Sequence, residues 1–364
     1  KELRDATESD LLVAGQDRKP GKHSAHSCFE VLREQSPNSK QESSSTQPGG
    51  SSTASLAELA TLSAQLVDDE RWSDALEVVA EEHELNRLAY GEADPHTLEV
   101  LGTYAGVLWQ LGRGEDAREL LEELVEKRTA LVVSLGNRDE DDDTPDWLRT
   151  AEDQLSGPEG EDKEEQLQGA QAELADVLVE LATVLSEMGR PAEAVPLLRR
   201  ALALQTTTYG ETSFDVLTCN DMLARALADS GEAGKAEVVP TLRRSLDLKR
   251  AMHGEASQEV ADCHNELAVA LQDMGEAALA ETEARSALSL HIDLFGETHM
   301  YTGTCISNLA TLLQAQGKLH QAETLLRHCL RIYEAELGPT HEDSVEVIAS
   351  LVDVLWFLRR VDEA

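Results

Sequence analysis

From Leu56 onward the chain repeats one arrangement of apolar, small and polar residues. Twelve positions before each recurring small residue lies another, mostly small, residue, and nine positions before each lies a leucine, such as Leu271 before Ala280. The steps between the recurring residues are 42, 77, 42, 44, 42 and 42 residues, a regularity that indicates a repeat architecture. The recurring residues are Ala75, Ala117, Ala194, Ala236, Ala280, Ala322 and Ala364.

Glycine interrupts each repeat at two points. It stands five residues before the alanine in five of the seven copies, as at Gly189 and Gly317, and a second glycine ends the copy, as at Gly254 and Gly296. Each copy is therefore predicted to be a helix, a glycine turn and a second helix, with leucine between the helices and alanine where the backbones cross. One hairpin cannot bury its apolar face alone, so the pattern predicts a stacked, all-α solenoid.

The segment SNLATLLQAQGKLHQAETLLRHCLRIYEAELGPTHEDS, residues 307–344, shows the pattern most clearly. With its paired small residues, leucines and 42-residue period, the array from 56 to 364 resembles tetratricopeptide repeats of the kinesin-light-chain type. The resemblance implies a right-handed α-solenoid of about six and a half hairpins and a protein-binding scaffold with no enzymatic activity.

Interruptions of the pattern predict the domain organisation. Residues 1–54 are polar and aperiodic and are expected to be disordered. Residues 55–136 hold repeats 1 and 2, and 165–364 hold repeats 3–7, the last of them incomplete. Between them, residues 137–164 are predicted to form an acidic loop. The incomplete repeat should expose Leu351, Leu355 and Phe357, so the protein is expected to continue or to self-associate at that end.

The chain has 364 residues and a formal charge of −39, from 70 acids and 31 Lys and Arg. Such a surface repels nucleic acid and anionic lipid and favours a basic partner. No run of eighteen apolar residues and no apolar signal core occur, so we expect neither a membrane span nor secretion, but a cytoplasmic location. Five cysteines without a C-x-x-C pair fit reduced thiols.

Motifs for chemistry fail on inspection. Asp139, Asp141 and Asp143 have the spacing of a calcium loop, but Thr144 and Thr150 stand where Gly and Glu belong. The Gly-Lys at 234–235 lacks the rest of a phosphate loop. We therefore predict no catalytic residue, no metal and no cofactor.

Two residue types recur with the repeats and have structural explanations. Cys219, Cys263 and Cys305 occupy a position where other copies have valine, which favours apolar packing. Loop histidines precede first helices and are expected to make turn or capping contacts. These histidines are His96, His299 and His341.

The resemblance implies a groove lined by first-helix positions −6, −3, +1, +4 and +5 from the small residue. Over all seven repeats these positions hold ten acids and one base, so the groove should suit an extended, basic peptide. In repeat 2, Gly102, Gly106 and Trp109 are predicted to leave an apolar notch. The other predicted groove residues are Asp221, Arg225, Asp262, Asn265, Gln272, Asp273, Ser307, Thr311 and Gln314.

Three interpretations remain open. The first is an adaptor that binds a basic peptide. The second is a kinesin cargo adaptor with the kinesin heavy chain as partner, although residues 1–54 lack the apolar heptads that such proteins carry. The third is the repeat sensor region of a larger nucleotide-binding signalling ATPase.

Overall fold

The computed structural model describes residues 52–136 and 163–362, and every regular element in those ranges is a helix. The chain divides into two units, Lys1–Ser52 and Thr53–Ala364, and the fold described here is that of the second. The predictions made for 1–51 and 137–162, and for Ala364, lie outside the described residues. The α-helices are α1 (Ser52–Asp68), α2 (Trp72–Tyr90), α3 (Pro95–Gln110), α4 (Gly114–Gly136), α5 (Lys163–Glu187), α6 (Pro191–Tyr209), α7 (Phe214–Asp229), α8 (Lys235–His253), α9 (Gln258–Asp273), α10 (Ala277–Phe295), α11 (Met300–Ala315), α12 (Leu319–Glu336) and α13 (Glu342–Asp362).

From α2 to α13 each helix packs on the next one, and α1 meets α2 where Leu66 joins Ala75 and Val79 in a buried cluster, which confirms the predicted all-α solenoid of hairpins. Odd-numbered helices are the first helices of repeats 1 to 7, and even-numbered helices are the second helices of repeats 1 to 6. The alanines at the hairpin crossings are fully buried, as Ala194, Ala280 and Ala322 show, because any larger side chain would hold the two backbones apart. One continuous core extends from α3 to α13.

Repeat 4 departs from the predicted register. Ala236 is exposed, and the residue buried at the hairpin crossing is Val238 instead. A short 3-10 helix, Gly231–Ala233, lengthens the turn by two residues relative to repeat 3, where α6 begins soon after α5. The step from the equivalent Ala194 is therefore 44 residues and the next step is 42, so the assignment of Ala236 was wrong. The extra pair of residues lies inside the hairpin of repeat 4.

Both helices that flank residues 137–162 are longer than their equivalents in other repeats. Helix α4 has 23 residues where α2 has 19, and α5 has 25 where α7 has 16. The two helices pack on each other through Leu131 and Ala170. Lys163 and Glu164, predicted as the end of the acidic loop, are helical, because α5 starts before the repeat pattern resumes.

Side chains of the inter-repeat loops cap the first helices. The Nδ1 atom of His299 accepts a hydrogen bond from the backbone N–H of Tyr301 at 3.2 Å, and Nδ1 of His341 accepts from Asp343 at 3.3 Å. Both interactions satisfy an N–H group that a helix start leaves without a partner. The capping interpretation of these two histidines is confirmed. At His96 the backbone N–H donates to the Asp94 side chain instead.

Polar contacts join one repeat to the next. Glu281 on α10 is buried and accepts from Nζ of Lys318, in the turn of repeat 6, at 2.6 Å. This hydrogen bond lowers the pKa of Glu281. Nearby, Nε2 of Gln316 donates to the backbone oxygen of Ala277 at 2.9 Å. Repeats 5 and 6 are thus joined by matched polar groups as well as by apolar packing.

We expect replacement of Gly303 by alanine to destabilise repeat 6 by about 1–3 kcal/mol, because the added Cβ would overpack the core. That Cβ would lie 2.7 Å from Cε1 of Tyr333 and 3.4 Å from Cγ2 of Ile332, both on α12. Gly102→Ala is the control, because its Cβ would meet only Cδ2 of Leu124, at the ordinary distance of 3.5 Å. Thermal unfolding should show a loss for Gly303→Ala and a gain of about 0.5–1 kcal/mol for Gly102→Ala. Equal effects would contradict the packing argument.

Candidate functional site

In repeats 5 to 7 the first helices lie on the inner side of the stack. Helix α9 contacts α11, and α11 contacts α13, more closely than successive second helices contact one another. Helices that approach most closely line the concave side of a curved stack, which supports the predicted groove positions. We use the word groove for this first-helix face.

In repeat 4 the groove carboxylate Asp221 is held from behind by the second helix. It accepts a hydrogen bond from Oγ of Ser245 at 2.5 Å, and Nζ of the buried Lys249 lies 3.0 Å away. Burial alone would lower the pKa of Lys249, but the attraction of Asp221, together with that of Glu266 and other neighbours, outweighs it and the pKa is raised. Asp221 thus has a buried counter-charge, whereas the neighbouring Arg225 is exposed.

In repeat 5, His291 occupies the position equivalent to Lys249. Nε2 of the buried His291 lies 3.2 Å from Oδ1 of Asp262, and its Nδ1 lies 3.0 Å from the oxygen of Ala287 and 3.3 Å from Sγ of Cys305. Burial by itself would lower the pKa of His291, but these hydrogen bonds outweigh it and raise the pKa to about 10. At neutral pH the imidazole is therefore charged and neutralises Asp262.

Lys249 and His291 belong to a set that the sequence interpretation missed. One polar residue stands eleven positions after the hairpin-crossing residue in every described second helix, and it is buried or nearly so. We call this set the polar column. Four members contact a side chain of a first helix. The pairs are Arg128 with Glu173, Lys249 with Asp221, His291 with Asp262, and the hydroxyl of Tyr333 with Thr304. Its members are Asn86, Arg128, Gln205, Lys249, His291 and Tyr333.

The predicted amide and hydroxyl residues lie on the groove with different degrees of freedom. Asn265 is half-buried and its Oδ1 accepts from Nδ2 of Asn308, one repeat further on, at 3.1 Å. Thr311 is exposed, but its hydroxyl donates to the backbone oxygen of Ser307 at 3.1 Å. Gln272 and Gln314 are half-buried, and neither side chain has a hydrogen bond within the described ranges. The two glutamine amides are thus available to a ligand.

Three first helices in succession end on a carboxylate at groove position +5. Glu187 ends α5, Asp229 ends α7 and Asp273 ends α9, and all three are exposed. None of them forms an ion pair with a described residue, and each lies at the negative end of its helix dipole, where an acid costs stability. We call these three residues the terminal carboxylates. Glu187 is exposed as a residue, but partial burial of its carboxylate raises its pKa.

Trp109 is only partly available. Its ring packs against the main core and lies over Gly114, where an added Cβ would approach Cζ3 of Trp109 to 3.1 Å and Sδ of Met188 to 3.5 Å. Gly102 has Leu124 as its neighbour. The tryptophan therefore fills space between repeats 2 and 3 and leaves a smaller notch than the sequence predicted.

The described cysteines are all buried, in agreement with packing. Burial raises the pKa of Cys219, Cys263 and Cys329 to about 12, so these thiols are protonated at neutral pH. Within residues 52–136 and 163–362 no group of three His, Cys, Asp or Glu side chains is arranged to hold a metal ion. In the same ranges no helix is long and apolar enough to cross a membrane.

The stacked hairpins and their polar inner face define a helical-repeat scaffold. Sequence models of the tetratricopeptide repeat match residues 173–251, 259–335 and 305–364, which together exceed half of the chain, and a second such model matches 98–123. The chain belongs to the tetratricopeptide-repeat family, whose members bind proteins.

Solved structures with the same fold share little sequence with this chain. BtubC (BKLC) from P. vanneervenii is 20% identical over 74% of this chain and 92% of its own, with a TM-score of 0.50. A putative kinesin light chain from Podosopora anserina, with nearly identical TPR-like repeats, is 19% identical over 66% of this chain and 96% of its own, with a TM-score of 0.47. No curated protein sequence matches the chain.

Proposed function

We propose that the chain is a non-enzymatic, cytoplasmic adaptor that binds an extended, basic peptide along the groove. The terminal carboxylates are the observation that carries the proposal. They recur in three successive repeats and lack cationic partners among the described side chains. They also lie at the C-terminal ends of helices, where the helix dipole makes an acid unfavourable for stability. A lysine or arginine of a bound peptide supplies the missing counter-charge.

Contacts between groove acids and buried cations of the second helices determine which acids can bind a basic side chain of the peptide. Asp221 and Asp262 already have the buried cations Lys249 and His291 as partners, so they offer a peptide less net charge than their number suggests. We therefore assign the binding of a basic side chain to the carboxylates of Asp229 and Asp273. The amides of Gln272 and Gln314 are suited to bond the peptide backbone, as extended-peptide recognition requires.

The test compares two doubly neutralised variants. Asp229→Asn/Asp273→Asn is expected to weaken binding of a Lys/Arg-rich 15-residue peptide about fivefold to tenfold in low salt, with a smaller difference at higher salt. Asp247→Asn/Asp293→Asn removes the same charge from exposed positions of second helices and should change binding less than twofold. Fluorescence anisotropy with basic, neutral and acidic peptides measures both. Equal or stronger groove binding of the acidic peptide would overturn the charge assignment.

The alternatives from the sequence remain proposals with their own tests. The 42-residue repeat type favours a kinesin-light-chain-like cargo adaptor, and co-purification with a kinesin heavy chain would support it. A nucleotide-binding domain encoded upstream of Lys1 in the same gene would instead support the repeat sensor of a signalling ATPase.

Self-association through the last repeat is a second candidate. Helix α13 exposes Val345, Ile348, Val352 and Phe357, while Leu351 and Leu355 are only half-buried. A stripe of this kind fits the same stripe on a second copy. Val352→Asp should abolish any dimer that sedimentation detects, and a monomeric parent protein would overturn this proposal.

A further inference from the structure

An arginine recurs at one position of four successive second helices. Arg199, Arg243, Arg285 and Arg327 each stand five residues after the hairpin-crossing residue of repeats 3, 4, 5 and 6, with steps of 44, 42 and 42. All four are exposed. We call these residues the arginine row. The chain has 31 Lys and Arg and a charge of −39, so a base at the same position of four successive repeats stands out from the surrounding acidic surface.

The arginine row faces away from the groove. The residue immediately before each arginine is buried in the hairpin core, for example Leu198 before Arg199 and Leu326 before Arg327. Because successive residues of a helix point about 100° apart, a long side chain beside a buried one extends from the outer side of the second helix. The row therefore follows the convex face, which the groove peptide does not touch.

Free positive charge is concentrated at repeat 4. Helix α8 contains five Lys and Arg and two acids, a net charge of +3. Arg243 and Arg244 have no ion pair with any described residue. Arg199 shares its charge with Glu237 at 2.5 Å, and Arg200 donates to Oγ1 of Thr129 at 2.9 Å. Arg285 pairs with Glu281 of its own helix. The positive charge without a carboxylate partner among the described residues therefore lies on Arg243 and its neighbour Arg244, at the centre of the row.

Further along the row, side chains of α12 line an open part of the surface. An open depression of about 630 Å³ follows α12. Arg327 bonds Glu323 at 2.7 Å, while Arg331 has no carboxylate partner among the described residues. The lining residues are His320, Glu323, Thr324, Arg327, Leu330 and Arg331.

From this arrangement we infer that the convex face binds an extended acidic segment of a partner protein, with Arg243 and Arg244 at the centre of the contact. Guanidinium groups pair with carboxylates in two-point geometry, which suits an Asp/Glu-rich peptide laid across successive helices. A nucleic acid has a higher and more uniform negative charge, and the −39 of the whole chain opposes its approach. This second surface does not depend on the peptide proposed for the groove.

The experiment uses the full chain and a labelled 20-residue peptide rich in Asp and Glu. Arg243→Gln/Arg244→Gln is expected to weaken binding at least tenfold in low salt. Arg71→Gln/Arg113→Gln removes the same charge from exposed hairpin turns of repeats 1 and 2, away from both the groove and the arginine row, and should change binding less than twofold. The basic peptide used for the groove is titrated against the same variants and should bind all of them alike.

Each outcome has one interpretation. Tenfold weaker binding confined to Arg243→Gln/Arg244→Gln supports the convex site. No binding of the acidic peptide to the parent protein, or equal binding by both double variants, overturns it. Tighter binding of a single-stranded oligonucleotide of equal charge would overturn the assignment of a protein partner. Circular dichroism of each variant confirms that the helices are intact.

Discussion

Replacement of Asp221 by asparagine is expected to lower the free energy of unfolding by about 2–3 kcal/mol, whereas Lys249→Met should lower it by less than about 1 kcal/mol. The asymmetry follows from burial. Removing the carboxylate leaves the buried ammonium of Lys249 without its counter-charge, and orphaned buried charges are costly. Removing the ammonium leaves Asp221, which is 31% exposed and can still be solvated.

Urea unfolding followed by circular dichroism measures both changes, and Asp247→Asn serves as the exposed control. Although Lys249→Met should weaken folding slightly, it should strengthen the binding of a basic peptide. Lys249→Met frees the charge of Asp221, so a basic peptide should bind it more tightly than the parent protein. Equal destabilisation by the two substitutions would show that Lys249 and Asp221 act as an ordinary surface pair.

Replacement of His291 by glutamine is expected to cost about 2–4 kcal/mol at pH 7, and this cost should disappear in alkaline solution. The pKa of His291 is raised from 6.5 to about 10 in the folded protein. A raised pKa adds stability that is fully present below 6.5 and decreases by up to about 1.4 kcal/mol per pH unit as pH rises toward 10. The half-exposed Asp262 limits the total, because water screens the pair.

The measurement is the difference in unfolding free energy between the parent protein and His291→Gln at several pH values from 6 to 10. Other groups that titrate at high pH are common to both proteins and cancel in the difference. The difference should be constant near pH 6 and shrink steadily above pH 7. A difference that does not depend on pH would mean that folding does not raise the pKa of His291.

The repeat period was readable from sequence, but the spacing of small residues alone gave the wrong register within repeat 4. A regular period of 42 placed Ala236 at the hairpin crossing, because an alanine happened to stand there. The two added residues could have been assigned to either side of α8 by spacing alone. The matching prolines Pro196 and Pro240, 44 residues apart within second helices, carried the correct register.

The groove charge was harder to predict, because it depends on two helices at once. Counting acids on the first helices gave ten against one base, yet the cations that neutralise Asp221 and Asp262 come from second helices. Their common spacing, eleven residues after the crossing, was visible in the sequence. What the spacing could not show is that these side chains pass between the helices and reach the opposite face. Those contacts can be recognised only when the packing of the two helices in each hairpin is known.

The contact between Glu281 and Lys318 has a consequence for how the array assembles. Hairpins of similar shape could stack in a wrong order, or exchange with those of another molecule, without losing much apolar contact. A neighbour lacking a cation at the position of Lys318 would remove one of the two cations that pair with the buried Glu281 and leave Arg285, on the same helix as Glu281, as the remaining one. The Lys318 contact therefore favours repeat 6 as the neighbour of repeat 5 over a repeat that has no cation at that position.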